Sequence, residues 1–228
     1  MKKYDIIWDF DGTLIPSEPY DSEQTLLLDI LSNRSPKISS FFKLLIAKIV
    51  IFGDKKEWLR KIFKKSYVYF LRGIDIDVLD RVASSLAAKI PKKDRQVLWQ
   101  LKERGHRMVI LSCGTWDLSK RILEMAGLSH CFLRIEANRF QIKKDKIYGM
   151  DLRMPNPEDK LKWIHAQGFC QKKSIVVGDG YTDLPLMKWA DIPVLIDRTG
   201  KKKIQYEMKD SHTISSVPEV VELIAGFS

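Results

Sequence analysis

Two aspartates two residues apart open the chain's chemistry. Asp9 and Asp11 sit in WDFDGTL, residues 8–14. The preceding YDIIW, residues 4–8, clusters β-branched and aromatic side chains and predicts a short buried strand. Alternation along that strand puts Asp9 and Asp11 on one side and Phe10 on the other. Gly12 then lets the chain turn sharply. Two carboxylates this close repel each other, so a cation or a proton has to relieve them. Alone, the pattern fits a turn with two solvated aspartates equally well.

A second acidic cluster changes the balance. GDGYTD, residues 178–183, follows the apolar run SIVV. Asp179 stands at the end of that predicted strand, and Asp183 lies one helical turn further on. Hard cations such as Mg²⁺ take carboxylate and carbonyl oxygens. If the two strands are neighbours, Asp9, Asp11, Asp179 and Asp183 converge on such a site. A phosphate pocket would complete it. Ser112 ends the strand MVILS, and Cys113 and Gly114 follow it into a helix; a hydroxyl and free backbone N–H groups at a helix start bind an anion. Lys160 falls in the first turn of a helix opened by Asn156, Pro157 and Asp159, where its ammonium can reach a phosphate as a point charge.

These residues need elements to hold them. Strands are expected at 4–8, 106–112, 131–137, 174–179 and 192–196. Helices are expected at 92–104, 115–126, from 156, at 183–190 and at 217–225, with a hairpin over 139–150 closing at Gly149. Strands alternating with helices predict an α/β fold, a doubly wound parallel, Rossmann-like sheet. Residues 21–89 instead read as helical throughout, including the run FFKLLIAKIVIF at 41–52, apolar nearly all round. The expected organisation is an α/β core of residues 1–15 and 91–228, interrupted by a helical insertion at 16–90.

The chain has 228 residues, 45% hydrophobic and 30% charged, which excludes a disordered tail, a collagen-like fibre and a disulfide-built miniprotein. Cys113, Cys131 and Cys170 form no CxxC pair, and free thiols suit a cytoplasmic setting. The first residues hold no apolar stretch of signal-peptide length, and the 41–52 run is too short to span a bilayer. The four histidines form no metal-spaced group. A net charge of +10 favours anionic partners without choosing among them.

With these motifs in hand, the sequence resembles the haloacid dehalogenase-like (HAD) hydrolase superfamily. Asp9 and Asp11 match its first motif, Ser112 its second, Lys160 its third, and Gly178, Asp179 and Asp183 its fourth, all in order. The helical insertion is similar to that family's cap, and IEANRF with YGMD (135–151), including Asn138 and Gly149, is similar to the phosphoserine-phosphatase-like branch. The resemblance implies that Asp9 attacks phosphorus to give an aspartyl-phosphate. Asp11 would protonate the leaving oxygen and then activate water. Mg²⁺ would be held by the Asp9 side chain, the Asp11 carbonyl and Asp179. Ser112, Cys113, Gly114 and Lys160 would form the phosphate pocket, with Asp183 orienting the metal's water or Lys160. Dehalogenase members lack an acid at the Asp11 position, so a phosphate ester is the expected substrate. Phosphomutases keep that acid, and a non-catalytic anion- or membrane-binding protein on the same fold is the rival of another class.

The insertion carries most of the net charge: ten basic and two acidic residues lie between 37 and 72. Three readings follow. A solvated cap surface that steers small phosphorylated substrates comes first, a face for anionic membrane second, and nucleic acid last. Leu59, Ile62, Phe63, Ser66 and Phe70 share one helix face, which predicts Lys61, Lys64 and Lys65 on the exposed side. Cys113 reads as a small strand-end filler and Lys201 to Lys203 as a solvated turn. Oligomeric state is not legible.

Overall fold

In the computed structural model, residues 2–33, 60–200, 208 and 210–227 are described. The strands are β1 (Asp5–Trp8), β2 (Arg107–Thr115), β3 (Arg134–Lys143), β4 (Lys146–Asp151), β5 (Ser174–Gly178), β6 (Ile192–Ile196) and β7 (His212–Ile214). They form one sheet in the order β4-β3-β2-β1-β5-β6-β7, parallel except for the β3–β4 hairpin. The short first strand is central because both of its faces are covered. Ile6 and Trp8 pack into one apolar layer. Ile7 packs into the other, with Val109, Leu111, Val176, Ile164 and Met187. A strand buried on both sides needs a continuous apolar run, and DIIW supplies it.

Register places the site. Trp8 pairs with Ile110 of β2 on one side and Val177 of β5 on the other. Asp9 and Asp179 therefore leave the sheet at the same edge, beside Ser112. The strand expected to end at Ser112 instead runs on to Thr115, with its register to β3 shifted between Leu111 and Thr115. Ser112, Cys113 and Gly114 thus belong to β2, and the next helix starts only at Trp116. Connections run from β1 towards β2 and β3, then return across β1 to β5 and β6. Open α/β sheets bind ligands at such a reversal.

Helices α1 (Ser22–Asn33), α2 (Arg60–Leu71) and α3 (Asp77–Ala87) lie between β1 and α4 (Lys92–Glu103); α5 (Trp116–Met125), α6 (Pro157–Ala166), α7 (Leu184–Trp189) and α8 (Glu219–Gly226) follow. α1 packs on α2 and α3, α2 on β4, and α3 on α5. The expected strand at 131–137 instead starts at Arg134 and runs to Lys143, because it continues into the hairpin. That hairpin turns at Lys144 and Asp145, with φ of 51° and 56°, and not at Gly149, which lies inside β4 opposite Gln141. The three-residue β7 has no counterpart in the sequence reading. The 41–52 run and Lys201 to Lys203 lie outside the described residues. Among the described residues no helix is long and apolar enough to cross a membrane.

One buried group makes stability depend on pH. His106, just before β2, accepts the Tyr4 N–H on Nδ1 at 3.2 Å, which requires a neutral ring on that side. Burial, helped by Arg104, lowers its pKa. The unfolded chain therefore binds the proton first as pH falls. His106 contributes its full stability above the ordinary histidine value of about 6.5 and loses it as pH drops through the lower folded value. Urea unfolding at pH 7, 6 and 5 should show this decline, and His106→Asn should flatten it; an unchanged slope would refute the assignment.

Candidate active site

The edge where β1, β2 and β5 end holds a cleft of about 260 Å³ lined by Asp9, Asp11, Glu23, Lys64, Ser112, Cys113, Gly114, Asp179 and Tyr181, among others. A larger depression of about 650 Å³ beside Lys92, Arg95 and Trp99 on α4 is an open surface and holds none of the motif residues.

Asp9 is fixed by its own backbone, whose N–H donates to the Val177 carbonyl at 2.9 Å. Its carboxylate accepts from Lys160 Nζ at 2.7 Å, and Thr13 Oγ1 lies 3.4 Å from its second oxygen. Lys160 is wholly buried and also donates to Asp183 at 2.6 Å. α6 brings it there because its first turn starts at Asn156, whose N–H is accepted by the Asp159 carboxylate at 3.0 Å. Burial alone would favour a neutral amine, but the Asp183 and Asp9 carboxylates outweigh it and hold Lys160 above the ordinary lysine value. Burial, followed by the Asp183 charge, raises the Asp9 pKa, and the charge of Lys160 beside it pulls the other way. Burial also lifts Asp11 to about 6, opposed by hydrogen bonds from Ser22.

Asp179 approaches so closely that a Cβ on Gly12 would stand 2.0 Å from its Oδ2, and Gly12 has φ of +82°. Position 12 therefore excludes any side chain twice over, by contact and by backbone conformation. Gly12→Ala should displace the Asp9 loop from Asp179 and lower kcat/KM by about 10²-fold or more, the scale of an ångström's misplacement. Steady-state kinetics beside a thermal melt checks this, and a folded, fully active Gly12→Ala would contradict the geometry.

One oxygen each of Asp9, Asp179 and Asp183 lie within 4.8 Å of one another. Asp183 has both oxygens engaged, one on Lys160 and the other near the Asp179 and Gly180 N–H groups at 3.2 and 3.3 Å. Its place is thus behind Asp179 and Lys160. The crowded Asp9 and Asp179 carboxylates, with Asp183 behind them, are a hard-oxygen donor set that suits Mg²⁺. Ser112 is buried, its Oγ accepting the Gly114 N–H at 2.9 Å, and a Cβ on Gly114 would lie 3.1 Å from both Ser112 Oγ and Asp11 Oδ2. Cys113 is buried, as a filler would be.

Lys64 corrects the sequence reading. It is buried rather than exposed; its Nζ makes a short ion pair with Glu23 and donates to the Cys113 carbonyl at 2.8 Å. The spacing 64, 67, 71 sets Lys64 on the inward stripe of α2 with the buried Tyr67 and Leu71. The side chains of Lys61 and Lys65 are outside the described set. Glu23 also accepts from Thr115 Oγ1 at 2.6 Å, so α1, α2 and the end of β2 meet at one charge. Asn138 staples the same loop: its Nδ2 donates to the Cys113 and Gly114 carbonyls at 2.8 and 3.1 Å, and its Oδ1 accepts the Met154 N–H at 2.9 Å. Glu23, Ser22 and Thr115 were not singled out from sequence, because each meets its partner only through the fold.

The family model for haloacid dehalogenase-like hydrolases matches residues 6–188. The chain belongs to that family. Curated relatives of this HAD chain include a phosphoserine phosphatase of Archaeoglobus fulgidus, 22% identical over 194 residues, covering 83% of this chain and 51% of that protein. A phosphoglycolate phosphatase of Aquifex aeolicus is 26% identical over 228 residues, covering 96% of this chain and 95% of that one. The chain thus spans about half the length of the Archaeoglobus relative. A solved substrate-bound phosphoserine phosphatase superposes with a TM-score of 0.73 at 18% identity, covering 98% of this chain and 99% of that one. A phospho-aspartyl intermediate analogue of phosphoserine phosphatase gives 0.72 at 19% identity over 98% and 99%. These likenesses agree with the HAD fold and the phosphoserine-phosphatase-like branch read from the motifs.

Proposed function

We propose that the chain is a Mg²⁺-dependent phosphomonoesterase working through an aspartyl-phosphate on Asp9. The observation that carries the reading is the convergence of Asp9, Asp11, Ser112 and Asp179 on one cleft. Lys160, expected in the phosphate pocket, is instead buried behind Asp9 and Asp183 and acts through Asp9. Relatives named phosphoserine and phosphoglycolate phosphatase support the substrate class, a small phosphorylated metabolite.

The chain's residues divide the work. Lys160 keeps Asp9 oriented and draws its negative charge, so that one Asp9 oxygen is presented to phosphorus. Ser112 and the Cys113–Gly114 backbone hold phosphoryl oxygens. Asp9 attacks, the ester P–O bond breaks, and Asp11 gives its proton to the leaving oxygen. Asp11 then takes a proton from the water that releases phosphate. Asp9, the Asp11 carbonyl and Asp179 would hold Mg²⁺, which would neutralise charge on the transferring phosphoryl group. Residues 16–90 act as the cap over the cleft, 1–15 and 91–228 as the core, and Lys64 and Glu23 meet the leaving group from the cap side. Buried Lys64 serves this cleft, so only the remaining basic residues of the insertion bear on membrane contact. Free cysteines support a cytoplasmic setting.

Phosphate release from a panel of small monoesters, with Mg²⁺ and with excess EDTA, tests the reading. Turnover should require the metal, and Asp179→Ala should abolish Mg²⁺ activation. Equal rates with and without metal would overturn the metal assignment; no release from any ester would overturn the function.

A further inference from the structure

Ser22 grips the residue read above as the general acid. Its backbone N–H donates to Asp11 Oδ1 and its hydroxyl to Asp11 Oδ2, both at 2.8 Å. Ser22 is wholly buried at the first residue of α1. Its hydroxyl has no part in capping that helix, because Asp21 Oδ1 accepts the Gln24 N–H at 2.8 Å and does that work. The α1 start therefore survives loss of the Ser22 hydroxyl, and the hydroxyl is committed to Asp11.

We propose that Ser22 is a positioning residue that selects which oxygen of Asp11 carries the transferable proton. This rests on the reading of Asp11 as acid. A backbone N–H only donates, so the oxygen it holds, Oδ1, is kept as an acceptor. A hydroxyl both donates and accepts, so its contact with Oδ2 persists whether or not Oδ2 bears a proton. The proton is thereby confined to Oδ2, the oxygen beside the phosphate loop, 3.1 Å from where a Cβ of Gly114 would stand. In the first step the bond from Asp9 to phosphorus forms and the ester P–O bond breaks. The departing oxygen keeps that electron pair and takes the proton from Oδ2. In the second, water bonds to phosphorus, the Asp9–phosphorus bond breaks, and the water's proton returns to Oδ2. Ser22 lies on α1, one of the helices over the cleft, so the acid is oriented only when α1 is docked on the core.

The effect is readable because aiming a proton matters most when the leaving oxygen is strongly basic. The experiment measures kcat/KM with Mg²⁺ for monoesters from p-nitrophenyl to alkyl phosphates, on the parent, Ser22→Ala, Ser22→Thr and Asp11→Asn, each with a thermal melt. Ser22→Ala should lose about 10-fold on alkyl esters, the scale of one hydrogen bond to a charged group, and progressively less as the leaving group becomes more acidic. Ser22→Thr, which keeps both donors, should recover the parent's dependence. Asp11→Asn should show the same steepened dependence more strongly. A uniform loss across all esters in Ser22→Ala, or no loss, overturns the proposal while a steepened Asp11→Asn leaves the acid assignment standing. If Asp11→Asn itself shows no steepening, the acid assignment falls and takes the proposal with it.

Discussion

Asp9→Asn should abolish turnover, lowering kcat by at least about 10⁴-fold, the scale reached when a covalent nucleophile is removed. The substitution is nearly isosteric, so the N–H to Val177 and the place of the side chain at the end of β1 persist. What disappears is the anionic oxygen that attacks phosphorus, since a carboxamide is a poor nucleophile. The lost charge also leaves Lys160 with Asp183 as its remaining carboxylate partner of the two. Steady-state release of p-nitrophenol measures it, with inorganic phosphate binding by calorimetry as a check that the pocket still forms. Asp11→Asn should differ in kind: phosphate still binds while turnover is slow. A fully active Asp9→Asn would remove the nucleophile from the mechanism.

Lys160→Met should be the most damaging change to stability. Methionine fills a similar length but leaves Asp9 and Asp183, both buried, without the ammonium that lies 2.7 and 2.6 Å from them. Removing one partner of a buried ion pair costs about 3–5 kcal/mol, because the remaining charge stays desolvated. Activity should fall with it, since Asp9 loses its orientation. Urea unfolding of Lys160→Met and of Lys160→Met with Asp183→Asn measures the term. The second substitution should recover part of the loss by removing one stranded charge. A cost under about 1 kcal/mol would show that the lysine is not paired as the structure places it.

Much of this site was legible in the sequence because its residues sit where strands end, and strand ends are marked by local composition. YDIIW before Asp9, MVILS at Ser112 and SIVV before Asp179 are apolar runs that announce buried parallel strands. Asn156, Pro157 and Asp159 likewise announce the helix that carries Lys160. What stayed hidden depends on long-range packing. Lys64 is expected outward because a lysine on a helix normally faces water. The partners that hold it inward, Glu23 41 residues before it and the Cys113 carbonyl 49 residues after it, are distant in the chain. Ser22 carries no local signal, because its hydroxyl serves Asp11, 11 residues away, while the neighbouring Asp21 does the capping. β7 escaped because three residues, two exposed and one buried, are too few to show a period. The hairpin turn at Lys144–Asp145 escaped because neither residue is the glycine that positive φ usually selects.

The covalent step on Asp9 is the centre of the account, and chemical trapping tests it most directly. An aspartyl-phosphate is an acyl phosphate, which borohydride reduces to homoserine, whereas a free carboxylate is untouched. The protein, turning over a phosphate monoester with Mg²⁺, is quenched into borohydride, digested and mapped by mass spectrometry. Homoserine should appear at position 9 only when substrate is present, and be absent from Asp9→Asn. Turnover with no reduction at position 9, or with reduction at another aspartate, would contradict the account.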